Sequence, residues 1–163
     1  MAYFRNPDLP PELPVYDDTT AEVILMSGLP ASGKDTWIAR HATENPVISL
    51  DSIREELGVR PEDDQGRVIQ RGRELAREYL RDQRGYVWNA TNTSALLRRQ
   101  LIDLFVSYRA RVSITYVETS LAEQARRNAA RDRPVPNAVT EQLRRRLDVP
   151  TSIEAHEVVM EVT

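Results

Sequence analysis

The sequence contains no cysteine. That excludes disulfide frameworks, thiol nucleophiles and cysteine-based zinc sites together. Histidine is nearly as scarce. His41 and His156 are the only two, too few for a histidine metal cluster, and neither sits in the pattern of a serine–histidine triad. Lysine occurs once, as Lys34, among 22 basic residues. The arginine excess itself is explained by genomic base composition. No apolar run approaches the roughly 20 residues that a membrane-spanning helix needs, so no membrane partner is expected. The first ten residues, MAYFRNPDLP, lack the basic-then-apolar order of a secretory leader, and a cytoplasmic location is expected. Strong charge of one sign is also missing. A net charge of −3 argues against a broad nucleic-acid coat, though not against a local basic groove.

What is present suits one folded domain. A chain of 163 residues, 40% hydrophobic and 29% charged, can bury a core. Residues 1–20 hold four of the ten prolines, Pro7, Pro10, Pro11 and Pro14. Proline deletes backbone donors and fixes φ, so this stretch reads as an extended arm or linker where a fused or partner domain would attach. Residues 21–163 read as the folded domain. Short apolar runs predict strands at Val23–Met26, Val47–Leu50, Tyr86–Trp88, Val112–Val117 and Val158–Val162. Helical spacing predicts helices over 34–42, 51–57, 64–83, 94–107, 120–130 and 138–147. Asp51 is placed near an N-cap, and Leu97, Leu101, Leu104 and Phe105 form one apolar stripe. Val139, Leu143 and Leu147 form another. Alternation of this kind needs crossover connections and a parallel sheet covered on both faces. The fold class is α/β, in three layers, with ligands expected at the carboxyl ends of the strands.

Chemistry concentrates at those ends. Gly28-Leu29-Pro30-Ala31-Ser32-Gly33-Lys34-Asp35-Thr36 follows the first strand with the spacing of a phosphate-binding loop. Its glycines let successive N–H groups point at one polyphosphate, Lys34 adds charge, and the next helix presents its positive end. The residue after the lysine is commonly Ser or Thr, whose hydroxyl ligates Mg²⁺. Here it is Asp35, a carboxylate that also suits a hard cation, directly or through water. Asp51 and Arg54 lie one helical turn apart after the second strand. A carboxylate there can take a proton from an attacking hydroxyl, and an arginine can grip a phosphate on the acceptor. A helix cap and a solvated arginine are the plainer alternatives. Asn89, Thr91 and Asn92 close the third strand, placed either to orient an acceptor or to cap the next helix. Arg127 and Arg131 share a helix face, with Arg133 beyond them before Pro134 and Pro136. They suit a lid that neutralises transition-state charge, or an ordinary solvated helix. The Arg144–Arg146 run reads as a solvated face.

These segments in this order resemble the P-loop polynucleotide 5′-kinase family, the kinase modules of nucleic-acid repair enzymes. The matching pieces are GLPASGKDTW, SLDSIREELG, VWNATNTSALLRRQLIDL and RRNAARDRPVP, between residues 22 and 147. The resemblance implies a P-loop kinase fold with an arginine-bearing lid, using ATP and Mg²⁺ to phosphorylate the 5′-hydroxyl end of RNA or DNA. It implies Lys34 on the phosphates and Asp51 as general base. Arg54 would sit on the acceptor's 3′-phosphate, with Arg127 and Arg131, or Arg133, in the lid. Asp35 and Asp51 are the candidate metal ligands. The family often has Asp where this chain has Asn89, and Ser or Thr in place of Asp35. Two alternatives share the same motifs: a small-molecule or nucleotide kinase, and an ATP-binding module without catalysis.

Overall fold

A computed structural model describes residues 17–60 and 63–163. Most of the arm expected over residues 1–20 lies outside the described residues. Residues 17–20 are tied to the domain: Thr20 N–H donates to the Arg109 carbonyl, and Arg109 Nη2 donates to the Asp18 carbonyl at 2.7 Å.

Five strands form one sheet: β1 (Ala21–Ser27), β2 (Val47–Ser49), β3 (Tyr86–Asn89), β4 (Ala110–Glu118) and β5 (Glu157–Val162). Their order is β2-β3-β1-β4-β5, and every neighbouring pair is parallel. Among the described residues six helices make the crossovers: α1 (Lys34–His41), α2 (Leu50–Glu56), α3 (Gly66–Arg81), α4 (Ala95–Val106), α5 (Leu121–Ala129) and α6 (Asn137–Arg145). All eleven elements coincide with the sequence expectations to within a few residues.

The strand pleat explains the two cores. Val23 and Leu25 of β1, with Tyr86 and Trp88 of β3, join Ile53 of α2, Val68 and Ala76 of α3, and Phe105 of α4 on one face. Met26 and Val87 point the other way, onto Ile38 and Ala42 of the α1 segment. Period-two alternation thus feeds both layers. Phe105 packs edge-on against Tyr86 at 5.7 Å between centroids, a favoured aromatic geometry. Gly72 lets α3 approach the sheet: a Cβ there would sit 2.9 Å from Leu50 and 3.0 Å from Trp88.

Three local expectations are corrected. The N-cap of α2 is Ser49, whose hydroxyl accepts from Ser52 N–H at 3.3 Å. Asp51 therefore stands inside the first turn with its carboxylate free of capping. On α4, Leu97 is 50% exposed and Arg98 is fully buried, so the apolar stripe gives way to one ionic group. On α6 no residue is buried, because Val139 faces solvent and the helix sits on the periphery.

Candidate functional site

The loop between β1 and α1 is built for an anion. Gly28 and Gly33 have φ of 142° and 110°, and Ala31 between them has φ of 61°. These left-handed positions turn successive amides inward. Gly28 has a second constraint, since a Cβ there would lie 2.4 Å from the Val117 carbonyl. α1 begins with no side chain bonded to its first amides, which leaves its positive end open to a ligand. The Ser32 hydroxyl is buried and has no protein partner among the described residues. A phosphate oxygen satisfies each of these donors, so the loop fits a nucleotide polyphosphate.

Lys34 lies beneath this loop. Its Nζ donates to the carbonyls of Gly28 at 3.0 Å and Leu29 at 2.9 Å. Burial pushes its ammonium down to about 8, opposed by Asp35 and Asp51 and reinforced by Arg131. Three of the expected site residues therefore face Lys34 electrostatically. Asp35 is exposed, and its Oδ1 accepts from Asn89 Nδ2 at 2.7 Å. That bond spans from α1 to the end of β3 and orients the carboxylate toward the crevice. Thr36, next along, is exposed and bears no side-chain bond among those described. Asp35 is thus a carboxylate of the kind that could hold a hard cation, and Asn89 orients it.

Asp51 and Arg54 meet, as their spacing predicts. Arg54 Nη1 donates to Asp51 Oδ1. The Asp51 side chain is 74% exposed and that of Arg54 23%. Arg54 Nε also donates to Gln65 Oε1 at 2.8 Å, while Gln65 Nε2 donates to the Arg60 and Asp63 carbonyls. The guanidinium is thereby fixed beside the carboxylate. Gln65 is the N-cap residue of α3, and no motif in the sequence marks it.

The turn after β3 divides its residues. Asn89 faces the crevice through Asp35. Thr91 is half-buried, and its carbonyl accepts from Gly28 N–H at 2.9 Å. Asn92 points inward: it is 7% exposed, and its amide donates to the Met26 carbonyl at 2.7 Å. Its side chain caps no helix and is turned into the interior. The cap of α4 comes instead from a distant residue, Asp148, whose Oδ2 accepts from Ala95 N–H at 3.1 Å.

The arginines at the end of α5 separate likewise: the helix stops at Ala129, so Arg127 lies on it and Arg131 beyond it, and the two share no helix face. Arg127 lies along the phosphate loop, donating to the Ser32 carbonyl at 3.2 Å and pairing with Glu123 at 2.6 Å. The guanidiniums of Arg126 and Arg127 hold the Glu123 carboxyl down to about 2. Arg131 bears on Lys34 through its charge. Arg133 is 86% exposed and reaches Glu55 of α2 at 3.6 Å. Gln124 braces the loop from the α5 side by donating to the Pro30 carbonyl at 2.9 Å. Arg144 and Arg145 pair with Glu141 on the outer surface, as a solvated face requires. Among the described residues no helix is long and apolar enough to cross a membrane.

Known proteins resemble this chain over most of its length. The profile of an AAA domain family, AAA_33, matches residues 23–150. Among curated proteins, the L-seryl-tRNA(Sec) kinase of Methanococcus maripaludis is 24% identical over 135 residues. The match covers 78% of this chain, and the chain spans about half, 53%, of that relative's length. Among solved structures, a candidate kinase from Chloroflexus aurantiacus J-10-fl superposes with a TM-score of 0.71 at 20% identity, covering 89% of each chain. The APS kinase of Mycobacterium tuberculosis, in complex with AMPPNP and APS, gives a TM-score of 0.60 at 15% identity. That match covers 87% of this chain and 89% of the other. The two structural likenesses establish a shared fold.

Proposed function

The chain belongs to the AAA domain family AAA_33, and on that premise we propose that it is a kinase, transferring the γ-phosphoryl group of ATP to a hydroxyl of a small-molecule acceptor. One observation carries the reading. The only lysine is buried under the phosphate loop and faces Asp35, Asp51 and Arg131 together. Phosphate-binding groups and a proton acceptor thus share one crevice at the carboxyl ends of β1, β2 and β3.

The residues divide the work. The loop amides from Gly28 to Gly33, with Lys34 and the start of α1 through Thr36, hold the phosphates. Arg127 and Arg131, with Arg133 on the lid loop, supply positive charge as the γ-phosphate departs, and Asp35 is the residue placed to hold Mg²⁺. Mg²⁺ held there would offset the negative charge of the phosphates. Asp51 accepts the proton of the attacking hydroxyl. Its exposure opens it to an acceptor, and Arg54 keeps its carboxylate oriented. In-line attack then needs no covalent enzyme intermediate.

A small acceptor is favoured because the cleft rim is mixed in charge. Arg54, Arg60 and Arg133 alternate with Glu55, Asp63 and Asp64, and Arg54, Arg60 and Arg133 all lie against carboxylates. The APS kinase that shares this fold was solved with a small molecule, APS, alongside AMPPNP. A second reading, phosphorylation of a nucleic-acid 5′-hydroxyl, is favoured by Arg54 standing one turn from Asp51. From there it can grip the phosphate next to a reacting end, beside Asn89 and Thr91. A fused or partner repair domain joined through residues 1–20 belongs to that second reading.

The test is transfer from γ-labelled ATP to a panel of acceptors. The panel holds sugars and sugar acids, nucleosides, nucleoside 3′- and 5′-monophosphates, and 5′-hydroxyl RNA and DNA oligonucleotides. Label on a sugar or a nucleoside 5′-monophosphate alone supports the main reading. Label on oligonucleotides and the 3′-monophosphate replaces it with the second. Nucleotide binding with no transfer to any acceptor overturns both in favour of a non-catalytic module.

A further inference from the structure

The segment that ends β3 grips the phosphate loop at both ends. At the exit, Asn89 Nδ2 donates to Asp35. At the entrance, three consecutive residues are tied to Thr91 and Asn92. The Met26 carbonyl accepts from Asn92 Nδ2 at 2.7 Å, Ser27 Oγ donates to the Asn92 carbonyl at 3.1 Å, and Gly28 N–H donates to the Thr91 carbonyl at 2.9 Å. These bonds begin where the β1–β3 register stops, at Leu25 opposite Trp88. Side chain and turn thus replace the ladder where the two strands part to open the crevice.

Asn92 is the centre of this arrangement. Its φ of 43° is left-handed, a region that asparagine tolerates better than other residues with a side chain. Its carbonyl also accepts from Arg98 Nη1 at 3.1 Å. Arg98 is fully buried and fixed in turn by a two-pronged contact with Glu154, at 2.7 and 3.0 Å. Asp148 closes the assembly, donating its N–H to the Thr93 carbonyl at 2.8 Å. A shift of Asn92 would therefore displace the entrance of the phosphate loop relative to the acceptor side, with a rigid support behind it.

We propose that Asn92 is a positioning residue that sets the register between the phosphate loop and the acceptor-facing segment Asn89–Thr91, with the Arg98–Glu154 pair as its strut. Its consequence for catalysis rests on the kinase reading; the mechanical coupling does not. Asn92 touches neither donor nor acceptor. It acts by keeping the two loops at one separation, and misplacement by about 1 Å is enough to cost about 100-fold in rate.

Asn92→Gly separates backbone from side chain, because glycine accepts the left-handed turn while deleting the amide. Amide exchange of the nucleotide-free protein is followed first by NMR. Exchange at Gly28 should quicken about tenfold in the variant, with core amides of β4 unchanged. Exchange at Gly28 equal to wild type overturns the proposal. Mg-ADP is then added. In wild type it should slow exchange over both 28–36 and 89–92, and in N92G over 28–36 alone. Equal protection of 89–92 in both proteins also overturns it. With the acceptor that wild type phosphorylates, kcat should fall about 10–100-fold while KM for ATP stays within about threefold. Val112→Ala, a core change of comparable stability loss, should leave kcat unchanged; an equal fall in kcat there would make Asn92 merely structural. If Mg-ADP protects nothing in wild type, the kinase reading fails, and the nucleotide-free exchange at Gly28 still decides the coupling.

Discussion

Replacing Glu154 by glutamine should destabilise the fold far more than an acid of its surroundings suggests. The Arg98 side chain is wholly buried and Glu154 is 17% exposed. Four guanidinium bonds are made: two to Glu154 and one each to the Asn92 and Asp148 carbonyls. Thr151 N–H donates to the same Glu154 carboxylate at 2.9 Å, a third donor beside the two from Arg98. Glutamine preserves the volume but leaves a buried cation unpaired, and breaking such a pair costs about 3–5 kcal/mol. At roughly 2–4 °C per kcal/mol for a chain of this size, the melting temperature should fall by about 6–20 °C. Thermal unfolding at pH 7, followed by circular dichroism, measures it. The double replacement Arg98→Met with Glu154→Leu removes both charges and should lie nearer to wild type than E154Q does. The pH dependence has a definite direction. Burial pushes the Glu154 carboxyl up, but the bonds from Arg98 and Thr151 outweigh it and hold the group below its ordinary 4.5. A carboxyl depressed in the folded state contributes stability that is complete above the unfolded value and lost as pH falls through the folded one. The gap between wild type and E154Q should therefore be constant near neutrality and shrink below pH 4.5. A loss under about 1 kcal/mol at pH 7, or a gap that widens in acid, would refute the buried-pair account.

The other expectations concern the site. Lys34 has its ammonium lowered to about 8, and a bound polyphosphate favours the charged form. ADP affinity should thus fall as pH rises from 7 to 9.5, by about 30-fold, with proton uptake on binding seen by calorimetry in two buffers. Lys34→Ala should lose this pH dependence together with phosphoryl transfer. Asp51→Asn should lower kcat about 10²–10⁴-fold with little change in nucleotide affinity, and a rate within a few-fold of wild type would reduce Asp51 to a helix-surface residue. Asp35→Ala should raise the Mg²⁺ concentration needed for half-maximal rate, while Asp35→Ser should restore it, both read from metal titrations. Arg54→Ala should weaken use of a phosphate-bearing acceptor about 10–150-fold, leaving the KM for ATP unchanged in steady-state assays.

What could be read from the sequence was local. The phosphate loop announces itself because its glycines, lysine and flanking strand and helix lie within about a dozen consecutive positions. Asp51 and Arg54 lie one turn apart, so their meeting follows from helix geometry alone. The rest depends on pairs distant along the chain. Arg98 is one arginine among many, and its partner Glu154 lies 56 residues on. Nothing near Arg98 distinguishes it from a solvated side chain, so Leu97 took its place in the expected core. From its place at a strand end, Asn92 reads either as an acceptor contact or as a helix cap. Its inward turn is set by the Met26 carbonyl, 66 residues away. The cap on α4 arrives from Asp148 across 53 residues, beyond any nearest-neighbour capping rule.

The burial of Lys34 makes this protein chemically addressable. Amine-reactive reagents find one side-chain target in the whole chain, apart from the amino terminus. That amine sits behind the Gly28 and Leu29 carbonyls, so its acylation rate reports whether the phosphate loop is open. Its lowered basicity gives it an appreciable uncharged, nucleophilic fraction at mildly alkaline pH, where exposed lysines stay largely protonated. A single added mass on the peptide containing Lys34 then measures occupancy of the loop without any knowledge of the acceptor. An arginine-rich surface, unreactive toward the same reagents, serves as a silent background.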